Sequence, residues 1–139
     1  MSERWERDPD IVERTYRFGL AIIVFHTGQT FGRTYEASFE QLRQLLRAGT
    51  AVGALVEEAQ GAQSRADFIS KMSIAHKEAR ESRYWLRIVG DSGLLREPPA
   101  SAPKGTLKTT PKLSELKQEA TELVKVLGAI IASAKKNRQ

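Results

Sequence analysis

The chain has 139 residues, one domain's worth, with 22 Lys and Arg against 17 Asp and Glu, a formal charge of +5 and a pI near 9.7. It contains no cysteine, which excludes disulfides, thiolate metal sites and thiol nucleophiles. The opening MSERWERDPD is charged where a secretory signal needs an apolar run, and apolar stretches such as residues 20–25 are too short for a bilayer. A cytoplasmic protein with no membrane partner is therefore expected.

Periodicity predicts four helices. The first is expected over residues 9–25, with Asp8 as N-cap, Pro9 in the first turn and Gly28 just past the end. Ile11, Thr15, Phe18, Ile22 and Phe25 share its stripe. The second is expected over residues 35–60, with Leu42, Leu45, Gly49, Val52, Val56 and Ala59 at alternating steps of three and four. Gly49 and Gly53 each cost about 1 kcal/mol against alanine in a free helix. That cost points to close backbone approach by a neighbouring helix, since glycine presents no side chain.

Gly61 breaks the pattern, and the third helix is expected over residues 64–90. Ser64 caps it, with Asp67 three positions on in a variant of the capping box. Its stripe is Phe68, Met72, Ala75, Ala79, Ser82, Leu86 and Val89. The segment REPPASAPKGTLKTTPK follows, rich in proline, serine, threonine and lysine, and a mobile surface linker is expected over residues 97–110. Thr110 and Pro111 are positioned to open a fourth helix over residues 111–136, with Leu113, Leu116, Ala120, Leu123, Leu127, Ile130 and Ala134 as its stripe. No strand-like alternation of useful length appears. Short connections between the first three helices force antiparallel neighbours and the longer third one allows the return, so an all-α, antiparallel up-down-up-down four-helix bundle is expected, as one domain spanning 1–139.

Catalytic chemistry has little footing. The only imidazoles are His26 and His76. His26 falls at the expected C-terminal end of the first helix, where the helix dipole suits a charge. His76 lies mid-helix beside Lys77. A di-metal bundle needs Glu-x-x-His pairs, and Ile23 and Ser73 occupy the positions three before the two histidines. Glu57, Glu58, Glu78 and Glu81 look like paired acids, but Arg47, Arg65, Lys71 and Arg80 are near enough in sequence to make inter-helix ion pairs the better explanation. No catalytic residue, metal or cofactor is expected.

Two surfaces remain. Ile74, Trp85 and Ile88, with Tyr84 beside them, lie off the core seam of the third helix. Val124, Val126 and Ile131 widen the apolar arc of the fourth. More apolar surface than one arc per helix suggests self-association, with Tyr84, Trp85, Ile88 and Ile131 as the interface candidates. The second surface is basic. Lys77, Arg80, Arg83 and Arg87 recur at three and four along the third helix, Arg43 and Arg47 pair on the second, and Arg14 and Arg17 on the first. Further cations are Lys104, Lys108 and Lys112 in the linker and Lys135, Lys136 and Arg138 at the C-terminus. Arginines at this spacing suit phosphate contacts, and Tyr84 and Trp85 can stack on an unpaired base. The nucleic-acid candidates are Arg43, Arg47, Lys77, Arg80, Arg83 and Arg87. Two function classes follow: a basic adaptor for RNA or another nucleic acid, or a structural protein–protein oligomer whose charges only solvate it.

The segment RQLLRAGTAVGALVEEAQGAQSRADFISKMSIAHKEARESRYWLRI (residues 43–88) resembles the four-helix-bundle proteins encoded in intervening sequences of 23S rRNA genes. The likeness extends to ELVKVLGAIIASAKK (122–136) and more loosely to ERTYRFGLAII (13–23), failing mainly over 28–39 and 97–111. It implies the same bundle, no enzymatic activity and a homopentameric ring. Residues 57–85 also look similar to the accessory variability determinants of diversity-generating retroelements. That likeness implies a basic pentameric adaptor for template RNA and a reverse transcriptase.

Overall fold

A computed structural model describes residues 10–136. Four helices follow in order: α1 (Ile11–Thr30), α2 (Ser38–Ala59), α3 (Arg65–Asp91) and α4 (Leu113–Lys136). No strand forms among the described residues. α1 packs on α2, α2 on α3 and α3 on α4, and a thinner seam between α1 and α4 closes the ring. Partners run in opposite directions along each seam. Thr15 lies by Gly53 and Ile22 by Gly49, while His76 lies by Gly128 and Gly90 by Leu113. Arg47 reaches Glu78 and Glu81, and Arg14 reaches Glu119 and Glu122. The expected antiparallel bundle is the observed one.

The helix ends depart from the sequence reading in informative ways. Asp8 and Pro9, expected to open α1, lie outside the described residues. The cap is Asp10, whose side chain accepts from the Glu13 backbone N–H at 3.1 Å. α1 also continues through Gly28 to Thr30, because Gly28 serves packing and does not stop the helix. A Cβ there would lie 2.9 Å from Pro98. α2 starts three residues later than expected; Tyr35 sits ahead of it, edge-on to Phe39 with ring centroids 5.9 Å apart. Ser64 caps α3 as expected, accepting from Asp67 N–H at 3.0 Å, while Asp67 accepts from the Gln63 N–H. At its other end Gly93 takes φ +73°, the left-handed conformation that ends a helix at little cost in glycine. α4 opens at Leu113, with Glu115 accepting from the Lys112 N–H at 2.8 Å in place of a Thr110 cap.

The buried stripes are those of the sequence over most of the bundle. Phe18, Ile22 and Phe25 meet Leu42, Leu45, Val52 and Val56, and α3 and α4 add Met72, Leu86, Leu116, Leu123 and Leu127. The last turns of α4 differ. Ile131 is buried in the core and Ile130 is only half-buried, so the inward step from Leu127 is four residues where three was expected. At 3.6 residues per turn a stripe drifts, and a step of four restores it. Ile131 thus serves the core and is withdrawn as an interface residue.

Residues 97–110, expected as a mobile linker, fold back over the end of the bundle. The buried Gln29 amide donates to the Arg96 carbonyl at 2.8 Å and accepts from the Arg96 N–H at 2.9 Å. The Arg96 guanidinium donates to the carbonyls of Gly28 and Phe31, and Ala102 is buried. Polar backbone at the bundle end is satisfied this way, in place of unpaired carbonyls.

Glycines bring the α1 and α2 backbones close together. A Cβ at Gly49 would stand 2.8 Å from Ile22, and one at Gly53 would stand 2.9 Å from the Thr15 carbonyl oxygen, which is backbone and cannot swing aside. At Gly19 the nearest atom would be Thr50 Cα at 3.6 Å, an ordinary contact. Gly53→Ala is therefore expected to destabilise the fold by about 1–3 kcal/mol. Gly19→Ala, with up to about 1 kcal/mol of helix propensity to gain, is expected to be neutral or stabilising. Urea unfolding of both variants checks the pair, and equal losses would contradict the close-approach account.

Candidate nucleic-acid interface

α3 is two-faced. Its inner stripe, Met72, Ala75, Ala79, Ser82, Leu86 and Val89, is buried. Its outward side and the adjoining edge of α4 form a broad, open depression of about 1010 Å³, whose lining includes Lys77, Arg80, Arg83, Tyr84, Arg87 and Lys117. Thr121, Glu81 and Asp91 complete it. None of the ion pairs among the described residues involves any of those five cations. The lining thus holds five cations against two acids, Glu81 and Asp91, a net positive surface with Asp91 at one end.

Glu81 lies on this rim but is already engaged. It accepts from the Trp85 indole N–H at 3.1 Å and from Arg47 of α2. These bonds, Trp85 first, hold its carboxyl below the usual range. Arg47 is raised above its ordinary value by the same bond to Glu81, with Glu78 3.6 Å away as a second acid. Trp85 is half-buried against the core, and Tyr84 meets it edge-on with centroids 5.0 Å apart. Tyr84 itself is 54% exposed. A line of contacts therefore runs from α2 to the outer face: Arg47, Glu81, Trp85, Tyr84.

The structure brings together Lys77, Arg80, Arg83 and Arg87 from the six nucleic-acid candidates. Arg47 is spent on Glu78 and Glu81, and Arg43 pairs with Glu40 one turn away on α2. Lys117 and Thr121 of α4 were missed, because their nearness to α3 is set by helix pairing and not by spacing along the chain. The interface candidates are dispersed. Tyr84 stands among the arginines, Trp85 turns towards α2, and Ile88 lines a small cavity with Leu42 and Leu95. Arg14, grouped with Arg17 as a surface cation, is 2% exposed. Its guanidinium donates to Glu119 at 2.7 and 2.9 Å and to Glu122 at 2.8 Å, and these carboxylates, Glu119 foremost, raise its pKa above the ordinary value. The inter-helix ion pairs expected of the glutamates form at Arg47, while Lys71 pairs with Asp67 within α3.

Among the described residues no group of three or more His, Asp or Glu is placed to hold a metal ion. No helix of these residues is long and apolar enough to cross a membrane. His76 lies against Gly128 of α4. His26 is half-buried one turn before the end of α1, and desolvation by burial lowers its pKa.

The class of protein at hand is thus an all-α antiparallel four-helix bundle with a cationic outer face on its third helix. Residues 7–129 match the model of the 23S rRNA-intervening sequence protein family, and the chain belongs to that family. It is also similar to a solved structure from Bacteroides thetaiotaomicron, a protein of unknown function from the S23 ribosomal protein family. The two share 30% identity with a TM-score of 0.68, over 86% of this chain and 96% of that one. No curated protein matches.

Because the folded His26 resists a proton that the unfolded chain accepts near pH 6.5, its contribution to stability is complete above that pH. It is lost as pH falls from 6.5 towards the lowered folded value. Chemical unfolding at pH 7.5 and 5.5 should show a drop that His26→Gln reduces. An identical drop in the variant would contradict the assignment.

Proposed function

We propose that this chain is a non-enzymatic, basic homo-oligomeric adaptor that binds RNA through the outer face of α3. The observation that carries the reading is the cluster of Lys77, Arg80, Arg83, Arg87 and Lys117, free of ion pairs among the described residues. Cations spaced along one helix face can meet successive phosphates, and counterions released from the nucleic acid drive the binding. A reverse transcriptase as a further partner is proposed on the retroelement resemblance alone.

Self-association is the other half of the proposal. An apolar groove of about 580 Å³ lies at the end of α4, between Phe68, Val126 and Ile130. A second, of about 390 Å³, runs along α1 and α2 beside the exposed Tyr16 and Ile23. Apolar surface of this kind favours protein contact. It also supports the second reading, a structural oligomer without nucleic acid. The count of five comes from the family resemblance.

Replacing Arg80, Arg83 and Arg87 together with glutamine should weaken RNA binding and flatten its logarithmic salt dependence by about 0.7 per lost single-strand contact. The mass measured by multi-angle light scattering should stay that of the wild type, a pentamer. Loss of the oligomer with unchanged RNA affinity would move these arginines to a subunit interface. A wild type with no salt-dependent binding would leave the structural-oligomer reading.

A further inference from the structure

We infer that the strand taken by this face is unpaired, with one base stacked on Tyr84. The inference rests on the nucleic-acid reading above and deepens it. Tyr84 stands amid the cations, with Arg80 four residues before it and Arg87 three after, about 6 and about 4.5 Å along the axis. An aromatic ring left more than half open to water at the centre of a phosphate-binding surface offers a π-face where phosphate has no use for one. Paired bases keep their faces inside the duplex, so only a splayed or single-stranded base can meet that ring.

The ring is held for the task. Trp85 abuts it edge-on, and Trp85 is in turn fixed by the core on one side and by its indole bond to Glu81 on the other. Arg47 anchors Glu81 from the neighbouring helix. A ring braced on one side by a fixed neighbour surrenders less freedom when a base arrives. Lys117 and Thr121 edge the depression from α4 and offer donors to the strand. Asp91 closes one end and repels phosphate, so the backbone track runs over the stretch from Lys77 to Arg87.

The test uses the full chain and four labelled probes of matched length: oligouridylate, oligothymidylate, a mixed-sequence duplex and inorganic polyphosphate. The unpaired strands should bind tighter than the duplex. Tyr84→Ala should weaken them roughly five- to a hundredfold, the span of one lost stack. Polyphosphate binding, which has no base to lose, should stay within about twofold. Tyr84→Phe, which keeps the ring, should bind as the wild type does, and melting curves should match throughout. A preference for oligouridylate or oligothymidylate names the natural strand, and either agrees with stacking. Unchanged affinity of Tyr84→Ala for the unpaired strands, or tighter duplex binding, overturns the inference while leaving the cationic surface in place. If no nucleic acid binds at all, the underlying reading fails.

Discussion

The structure depends first on how closely α1 and α2 approach. Gly49 and Gly53 let one backbone lie against the other, with Thr15 and Ile22 filling the space a side chain would take. This seam fixes where α2 stands in the bundle, and α2 carries Arg47. Arg47 pulls Glu78 and Glu81 of α3 to its own side, and Glu81 secures Trp85, against which Tyr84 rests. A backbone contact on one side of the molecule thus reaches the outer face of α3 through a short line of polar and aromatic contacts. Exposed ion pairs contribute only about 0–1 kcal/mol each. Their consequence here is orientation more than stability.

The same arrangement explains why the cations of α3 stand free. A charged helix normally pairs its bases with acids three or four residues away. Arg80 and Arg83 have no acid at that spacing on α3, and Glu81, four residues after Lys77, is already bonded to Arg47 of α2. Asp91 remains, at the far end. On the opposite side of the bundle the reverse holds: Arg14 is buried and its charge is satisfied by Glu119 and Glu122. Only the arginine of this network is buried, and removing its part-exposed carboxylates would leave that charge without partners. The network also ties α1 to α4 along their thin seam, where few apolar contacts do so.

Most of the fold was legible in the sequence because each helix buries a single stripe and the short connections among the first three leave few topologies. Gly49 and Gly53 announced their role, since glycine inside a good helix asks for a close neighbour. Gly28 was misread as a stop, because a glycine that packs against Pro98 looks the same along the chain as one that ends a helix. Ile130 and Ile131 were exchanged for a similar reason: adjacent isoleucines satisfy either step, and only packing decides. Half of the site could be read from the arginine spacing on α3. Lys117 and Thr121 could not, since they join it through tertiary pairing. Arg14 carried no mark of burial, because its partners lie more than a hundred residues away.

The central claim is that the outward face of α3 is where this chain meets RNA. Photocrosslinking to a single-stranded RNA bearing 4-thiouridine, with the adducts located by mass spectrometry, tests it most directly. Adducts are expected on Tyr84 and within the peptides spanning residues 77–91 and 117–121 of the native oligomer. Adducts confined to the α1–α2 groove around Tyr16 and Ile23, or none above background at low salt, would contradict it.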